Sequence, residues 1–188
     1  ASNAIQAGLG RAAVIIGEPG LGKSRLISEW KAKLIAQPAN PQTDIDWAEG
    51  HCLSYGQGLA YHLLIDLLRS LIDVPAAASE PETRLALEKL CTALFDTSVL
   101  EVYPYLGHLL SLQLEGDALE RVRLLDPQAL QTQYLAALRS LLRALAAKHP
   151  LALILDDIHW ADPSSTDLLI KLLPLAAERG LAVIINRP

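Results

Sequence analysis

Residues 17–24 have the types and the spacing of a loop that binds phosphate. Gly17 and Gly22 are separated by four residues, and Lys23 and Ser24 follow the second glycine. Glycine allows backbone angles that a side chain forbids, so successive N–H groups can point inward and hold phosphate oxygens. Lys23 would place its charge on the β- and γ-phosphates, and the Ser24 hydroxyl would take one coordination position of Mg²⁺.

Such a loop needs a strand before it and a helix after it, and the sequence predicts both. Residues 12–16 form an apolar run typical of a buried strand, and residues 25–35 have the apolar spacing of an amphipathic helix. A helix that begins near Gly22 directs its positive end at the same anion. The predicted phosphate-binding residues are therefore Gly17, Glu18, Pro19, Gly20, Leu21, Gly22, Lys23, Ser24 and Arg25.

Two adjacent carboxylates follow an apolar strand predicted at residues 151–155. Asp156 can hold Mg²⁺, usually through water, opposite the hydroxyl of Ser24. Asp157 is then the candidate that orients or deprotonates an attacking water. Paired carboxylates are common where strands end, and the phosphate loop is what favours this interpretation. It makes Lys23 and Asp157 the predicted catalytic residues and Ser24 and Asp156 the predicted metal ligands.

Other side chains near the same predicted edge have two interpretations each. Either His159 and Trp160 pack the loop after the acidic pair, with Trp160 as a local anchor, or His159 senses the γ-phosphate or transmits its presence to the helix after Pro163. Arg187 follows the last strand and is either solvated or a second sensor of the γ-phosphate. Tyr55 and Tyr61 either pack locally or contact the nucleotide or a partner.

Composition narrows the function classes further. The 188 residues carry a net charge of −5 without a basic run, so this segment gives no reason to expect nucleic-acid binding. No apolar stretch reaches the roughly 18 residues of a membrane helix, and no signal peptide is evident. Cys52 and Cys91 lack metal-ligand spacing, even with His51 adjacent, which favours reduced thiols in a cytoplasmic protein.

Strands alternate with helices along the chain, and each strand is an apolar run without polar alternation. Further strands are predicted at residues 45–52 and 181–185. Such strands favour an α/β fold with a parallel sheet covered on both faces. Ligands bind at the carboxyl ends of such strands, which would bring residues 17–24 to Asp156 and Asp157.

Helices are predicted between these strands from apolar spacing and from capping residues. Ser79 and Glu82 form a potential capping box, and Asp126 and Asp162 each precede a proline at the first helical position. The predicted helices cover residues 59–72, 79–95, 98–114 with a break at Pro104, 116–125, 127–148, and 164–179 with a kink at Pro174.

Residues 75–125 are predicted to be a helical insertion and not a separate domain. Their role is either structural or that of a lid or partner-binding surface. The first four residues could be a cloning remnant, and the chain stops at Pro188 directly after a predicted strand. We therefore expect one domain over residues 1–188 that is a fragment of a larger protein.

The segments GEPGLGKSRL, GHCLSYGQGLAYHLLIDLLR and LALILDDIHWADPSS resemble the AAA-type ATPase domain of bacterial multidomain regulators. These regulators include proteins with adenylate or guanylate cyclase domains and large LuxR-type transcriptional activators, within the signal-transduction ATPases called STAND. The resemblance covers nearly the whole chain and includes the final Asn-Arg-Pro. It implies a P-loop NTPase of the additional-strand class, truncated before its last strand and lid, with the strand of the acidic pair beside the strand of the phosphate loop.

The resemblance also implies ATP and Mg²⁺ as ligands and a switch role that drives effector domains of the same parent chain. The chain departs from the family in lacking a Gly-Arg-Glu-type segment before the first strand. It also has Asn186 where a hydroxyl-bearing residue is more usual.

The leading hypothesis is an ATP-binding and hydrolysing regulatory domain with slow turnover and possible self-association. The expected partners are the nucleotide and the linked effector domains, without direct nucleic-acid or membrane contact. One alternative is a small-molecule kinase whose acceptor pocket lies in residues 75–125. The other is a non-catalytic scaffold that retains the nucleotide motif.

Overall fold

The computed structural model describes residues 10–18, 20–35, 45–54, 58–178 and 180–187. One parallel sheet contains β1 (Arg11–Ile16), β2 (Asp46–His51), β3 (Leu151–Asp156) and β4 (Leu181–Arg187). The spatial order of its strands is β1-β4-β3-β2. The predicted α/β fold with a parallel sheet is therefore confirmed, and it is consistent with the P-loop fold that the resemblance implies.

The strand order corrects one expectation. β4 lies between β1 and β3, so the strand of the acidic pair is not beside the strand of the phosphate loop. β4 is the last of these strands in the chain, yet it pairs with β1 on one side and with β3 on the other. Asn186, near the carboxyl end of β4, is thereby placed between the two predicted motifs.

Helices flank the sheet and connect its strands. In the described ranges they are α1 (Lys23–Ile35), α2 (His62–Leu71), α3 (Glu80–Phe95), α4 (Tyr103–Leu109), α5 (Gly116–Arg123), α6 (Pro127–Lys148) and α7 (Pro163–Leu172). The capping box of Ser79 and Glu82 is present at α3, and Asp126 and Asp162 cap α6 and α7 as predicted.

Pro104 and Pro174 were predicted to interrupt helices. In the structure they lie at helix boundaries instead. Pro104 lies in the first turn of α4, where its missing N–H costs no hydrogen bond, and a 3₁₀ turn at Asp96–Glu101 precedes it. Pro174 lies in a 3₁₀ turn at Leu173–Ala177, directly after α7. The helices predicted at residues 98–114 and 164–179 are therefore shorter than expected.

The two central strands bury side chains on both faces of the sheet. Leu153 and Val183 belong to the main apolar cluster, with buried residues from α2, α4, α6 and α7. Ile154 and Ile184 point to the other face and pack against Ile27 of α1. This alternation explains why neither strand has polar residues at every second position.

Residues 75–125, called the helical segment below, share the main apolar cluster with the sheet. Leu87 of α3, Leu106 of α4 and Val122 of α5 are buried in the cluster that also contains Leu153. The packing of the helical segment is therefore continuous with the packing of the strand that ends at Asp156.

β1 is more exposed than its sequence predicts. Val14 is 54% exposed and Ile16 is 63% exposed, so the prediction of a buried strand at residues 12–16 is wrong for these side chains. β1 is an edge strand of the described sheet, and α1 faces only the side that carries Ala13 and Ile15.

The opposite edge of the sheet, at β2, is covered by side chains of α2. The N–H of Glu49 donates to Ser70 Oγ at 2.9 Å, and the N–H of His51 donates to Asp66 Oδ2 at 2.8 Å. The His51 ring contacts the same carboxylate at 3.0 Å, and this hydrogen bond raises the pKa of His51 although burial opposes the shift. Two oxygens of α2 thus replace the carbonyls of a neighbouring strand.

Removing one of these oxygens should destabilise the fold. Asp66→Ala is expected to lower the free energy of unfolding by about 1–2 kcal/mol, because the His51 N–H loses its acceptor. Asp66→Asn retains an oxygen at that position and should keep most of the stability. Urea unfolding of the three proteins measures the difference. Equal losses of unfolding free energy in both variants would show that the charge on Asp66 stabilises the fold, and that its hydrogen bond to the strand edge does not.

Candidate functional site

The predicted phosphate loop connects β1 to α1 through two glycines in the left-handed region. Gly20 has φ 84° and Gly22 has φ 81°, angles that strain any residue with a side chain. A Cβ at either position would meet no atom within 4 Å, so the backbone angle, not the space, calls for glycine. The helical hydrogen bonds then begin with the Leu26 N–H and the Gly22 carbonyl at 2.8 Å.

Lys23 connects the start of α1 to the end of β1 through hydrogen bonds. Its Nζ donates to the Gly17 carbonyl at 2.7 Å and to the Glu18 carbonyl at 2.9 Å. These bonds use two of the three N–H groups of the ammonium and hold its charge at the loop.

The remaining predicted residues of this loop differ in their surroundings. Arg25 pairs with Glu29 at 2.8 Å on the exposed side of α1, and its side chain is 83% exposed. Leu21 is 70% exposed at the tip of the loop. Pro19 lies outside the described residues.

The two predicted metal ligands are in contact. Ser24 Oγ donates to Asp156 Oδ2 at 3.2 Å, joining the first turn of α1 to the end of β3 across 132 residues. Hydroxyl and carboxylate oxygens are hard donors of the kind that Mg²⁺ prefers. The chemistry of this pair therefore suits a magnesium ion.

Asn186 completes this arrangement, and sequence reasoning had noted it only as a departure from a family pattern. Its side-chain amide donates to Asp156 Oδ1 and, at 3.4 Å, to Ser24 Oγ. The residue is 1% exposed, and its Oδ1 has no partner among the described residues. A polar residue directly after the five apolar residues of β4 was the signal that could have identified it.

Asp157 follows Asp156 in a left-handed conformation with φ 53°. Its N–H donates to Asp156 Oδ1 at 3.0 Å, and its carbonyl accepts from the Trp160 N–H at 2.9 Å. Its side chain is exposed at the carboxyl edge of the sheet. Aspartate tolerates this backbone region better than most residues.

His159, Trp160 and Arg187 lie near this edge without a contact that settles their role. The rings of His159 and Trp160 lie 5.0 Å apart, and both residues are exposed. Arg187 is exposed at the end of β4. The roles of His159 and Arg187 as γ-phosphate sensors stay predictions. Tyr61 packs against Tyr134, whereas Tyr55 lies outside the described residues.

Both cysteines are buried and free, as predicted. Burial, with the carboxylates of Asp162 and Asp157 nearby, raises the pKa of Cys52 to about 12. Burial alone raises the pKa of Cys91 to about 12. Such thiols are poor nucleophiles at neutral pH.

The described residues contain no cluster of three or more histidine, cysteine or acidic side chains suited to a metal. They also include no helix with the length and apolarity to cross a membrane.

Comparison with known proteins agrees with this geometry. Residues 1–185 match the family model of the AAA ATPase domain. A protein of Rhizobium meliloti (strain 1021), described as uncharacterized, is 29% identical over 187 residues, which cover 98% of this chain. The chain spans only 17% of the length of that relative. The family model matches nearly the whole length of the chain, and the phosphate loop and the acidic strand end agree with it. The chain therefore belongs to the AAA ATPase domain family.

Proposed function

We propose that this domain binds ATP with Mg²⁺ and hydrolyses it slowly as the regulatory switch of a longer protein. The observation that carries the proposal is the contact of Ser24 with Asp156, which joins the phosphate loop to the acidic strand end. The family match supports the ATPase part, since AAA ATPase domains are built around a nucleotide site.

Phosphate binding would use the backbone of the loop and the charge of Lys23. The N–H groups of residues 20–24 lie at the start of α1, where the helix dipole favours an anion. Two loop carbonyls orient the Lys23 ammonium, leaving one N–H to donate to a phosphate oxygen. The loop is thus arranged for an anion with several oxygens.

Magnesium would be held by the Ser24 hydroxyl and the Asp156 carboxylate. When bound, the ion neutralises charge that develops on the β- and γ-phosphate oxygens. Asn186 keeps the Asp156 carboxylate oriented by donating to one of its oxygens and contacting Ser24. Asn186 is therefore proposed as a positioning residue for the metal ligands.

Hydrolysis would depend on Asp157, which we propose orients or deprotonates the attacking water. Its exposed carboxylate follows the metal ligand directly and lies at the same edge of the sheet. Its side chain is shorter than that of glutamate and reaches less far, which fits slow turnover. A partner that supplies a positive charge would then accelerate the reaction.

The wider role follows from the resemblance noted in the sequence. We propose that the parent is a cytoplasmic signalling regulator of the STAND type, with ATP-dependent effector domains for transcription or signalling on the same chain. A relative much longer than this domain is consistent with linked domains. Different contacts to ATP and to its hydrolysis product would shift the position of neighbouring segments.

Mg-ATP binding should depend on Lys23. Lys23→Ala is expected to weaken binding by about tenfold or more, because the phosphates lose their charged donor. Lys33→Ala, in the last turn of the same helix, is the matched control and should bind as the wild type does. Isothermal calorimetry measures both affinities. Unchanged binding by Lys23→Ala would contradict the phosphate-loop assignment.

Substitutions of Asp156 and of Asp157 should affect metal binding and hydrolysis separately. Asp156→Asn is expected to reduce the gain in ATP affinity that Mg²⁺ provides. The affinity for ATP measured with a chelator in place of Mg²⁺ should be unchanged. Asp157→Asn should keep Mg-ATP affinity but lower phosphate release by about a hundredfold, since the water loses its base. Asp46→Asn, at the amino-terminal end of β2, is the control.

Phosphate-release assays at saturating Mg-ATP, with and without candidate acceptors, complete this experiment. Undiminished release by Asp157→Asn would rule out the role of that carboxylate. ADP formation that requires an acceptor and releases no inorganic phosphate would favour the kinase alternative. A wild-type domain that binds ATP and forms no ADP under either condition would favour the scaffold.

A further inference from the structure

Two Asp-Pro pairs cap helices in this chain, and only one of them is buried. Asp126 Oδ1 accepts from the Ala129 N–H at 2.8 Å at the start of α6, and Asp126 is exposed. Asp162 Oδ1 accepts from the Ser165 N–H at 2.8 Å at the start of α7, but Asp162 is 2% exposed. The same capping bond therefore does not require burial.

Asp162 has a second bond that Asp126 lacks. The Tyr61 N–H donates to Asp162 Oδ1 at 2.9 Å, across 101 residues of chain. Tyr61 has φ 63°, and this left-handed residue immediately precedes α2. A single carboxylate oxygen thus holds both the start of α7 and the segment 58–61 that leads into α2.

This bond also fixes the far end of the loop that carries Asp157. We call residues 156–162 the acidic loop. Its first residue is held by Asn186 and Ser24, its middle packs against the main apolar cluster through Ile158, and its last residue is Asp162. The backbone around Asp157 is therefore restrained from both sides.

Keeping a carboxylate at this position is costly. Asp162 Oδ2 and the neighbouring Ser165 Oγ are buried without a partner among the described residues. A buried carboxylate with an unpaired oxygen destabilises the fold, and a serine would cap α7 without that cost. What aspartate provides here and serine would not is a side chain long enough to reach the Tyr61 N–H.

The segment 58–61 is in turn connected to the helical segment through Tyr134 of α6. The ring of Tyr61 lies 5.4 Å from the ring of Tyr134 at an angle of 82°, an edge-to-face contact. Tyr134 Oη lies 2.6 Å from Nδ1 of His108 on α4. Burial raises the pKa of Tyr134 to about 12, so its hydroxyl stays neutral.

We propose that Asp162 is a positioning residue that locks the acidic loop to the segment before α2. Through Tyr61 and Tyr134 the lock makes the placement of Asp157 depend on the helical segment. The catalytic consequence rests on the proposed function, whereas the lock itself does not.

Hydrogen exchange tests the lock without nucleotide. Asp162→Ser retains a capping oxygen but is too short to reach Tyr61, so exchange should accelerate in residues 58–61 and in the acidic loop. Asp162→Asn retains an oxygen for both bonds and should exchange as the wild type does. Asp126→Ser should change exchange only near the start of α6. Unchanged exchange at residues 58–61 in Asp162→Ser, or equal effects of Asp126→Ser there, would overturn the lock.

Phosphate release tests its catalytic consequence. Asp162→Ser is expected to lower kcat by about tenfold to a hundredfold, since a small misplacement of a catalytic group is sufficient. The Kd for Mg-ATP should stay within about twofold, and Asp162→Asn should restore kcat. A wild-type kcat in Asp162→Ser would overturn the link to Asp157. A wild-type protein that releases no phosphate would refute the proposed hydrolysis instead, and the exchange result would still decide the lock.

A double-mutant cycle tests the reach into the helical segment. His108→Ala should lower kcat by about threefold in the wild type and have no effect in Tyr61→Gly. Glycine keeps the left-handed backbone and the N–H at position 61 but removes the ring that contacts Tyr134. Equal effects of His108→Ala in both backgrounds would overturn this part of the proposal.

Discussion

The contact between Ser24 and Asp156 depends on all the strands of the sheet running in the same direction. Parallel strands bring their carboxyl ends to one edge, so a residue that opens α1 can meet a residue that ends β3. β4 lies between the strands that carry the two motifs, which makes room for Asn186 between their side chains. Reversing β1, β3 or β4 would separate the three groups, so the site is a consequence of topology before it is one of side-chain chemistry.

Side-chain oxygens also replace backbone acceptors at β2 and at the residue before α2. Ser70 and Asp66 accept from the outward N–H groups of β2, and Asp162 accepts from the N–H of Tyr61. In each case a short polar side chain accepts a hydrogen bond from a backbone N–H of another segment, and it takes the place of a backbone carbonyl. These bonds fix where α2 begins and how it lies on the sheet. They also connect that helix to the acidic loop.

Local signals in the sequence predicted most of the elements and only part of the site. The loop at residues 17–24 and the caps at Ser79, Asp126 and Asp162 were found because their meaning lies within a few residues. The strand order, the contacts of Asn186 with Asp156 and Ser24, and the bond between Tyr61 and Asp162 were missed. Each depends on residues that are more than 100 positions apart, or on which strand inserts between two others, and neither leaves a periodic pattern. The exposure of β1 was missed because an apolar run does not reveal whether its strand lies at an edge.

The two edges of the sheet differ in a way that bears on the phosphate loop. β2 is fastened by the oxygens of α2, whereas β1 is exposed at Val14 and Ile16 and pairs on one side with β4. Within the described residues, the loop therefore follows the strand with the fewer supporting contacts. The bonds from Lys23 to the carbonyls of Gly17 and Glu18 compensate, because they tie the end of that strand to the helix that carries Ser24. On the proposed function, an anion bound by the N–H groups of the same loop would strengthen this connection, and ligand binding would stabilise the part of the sheet that packing stabilises least.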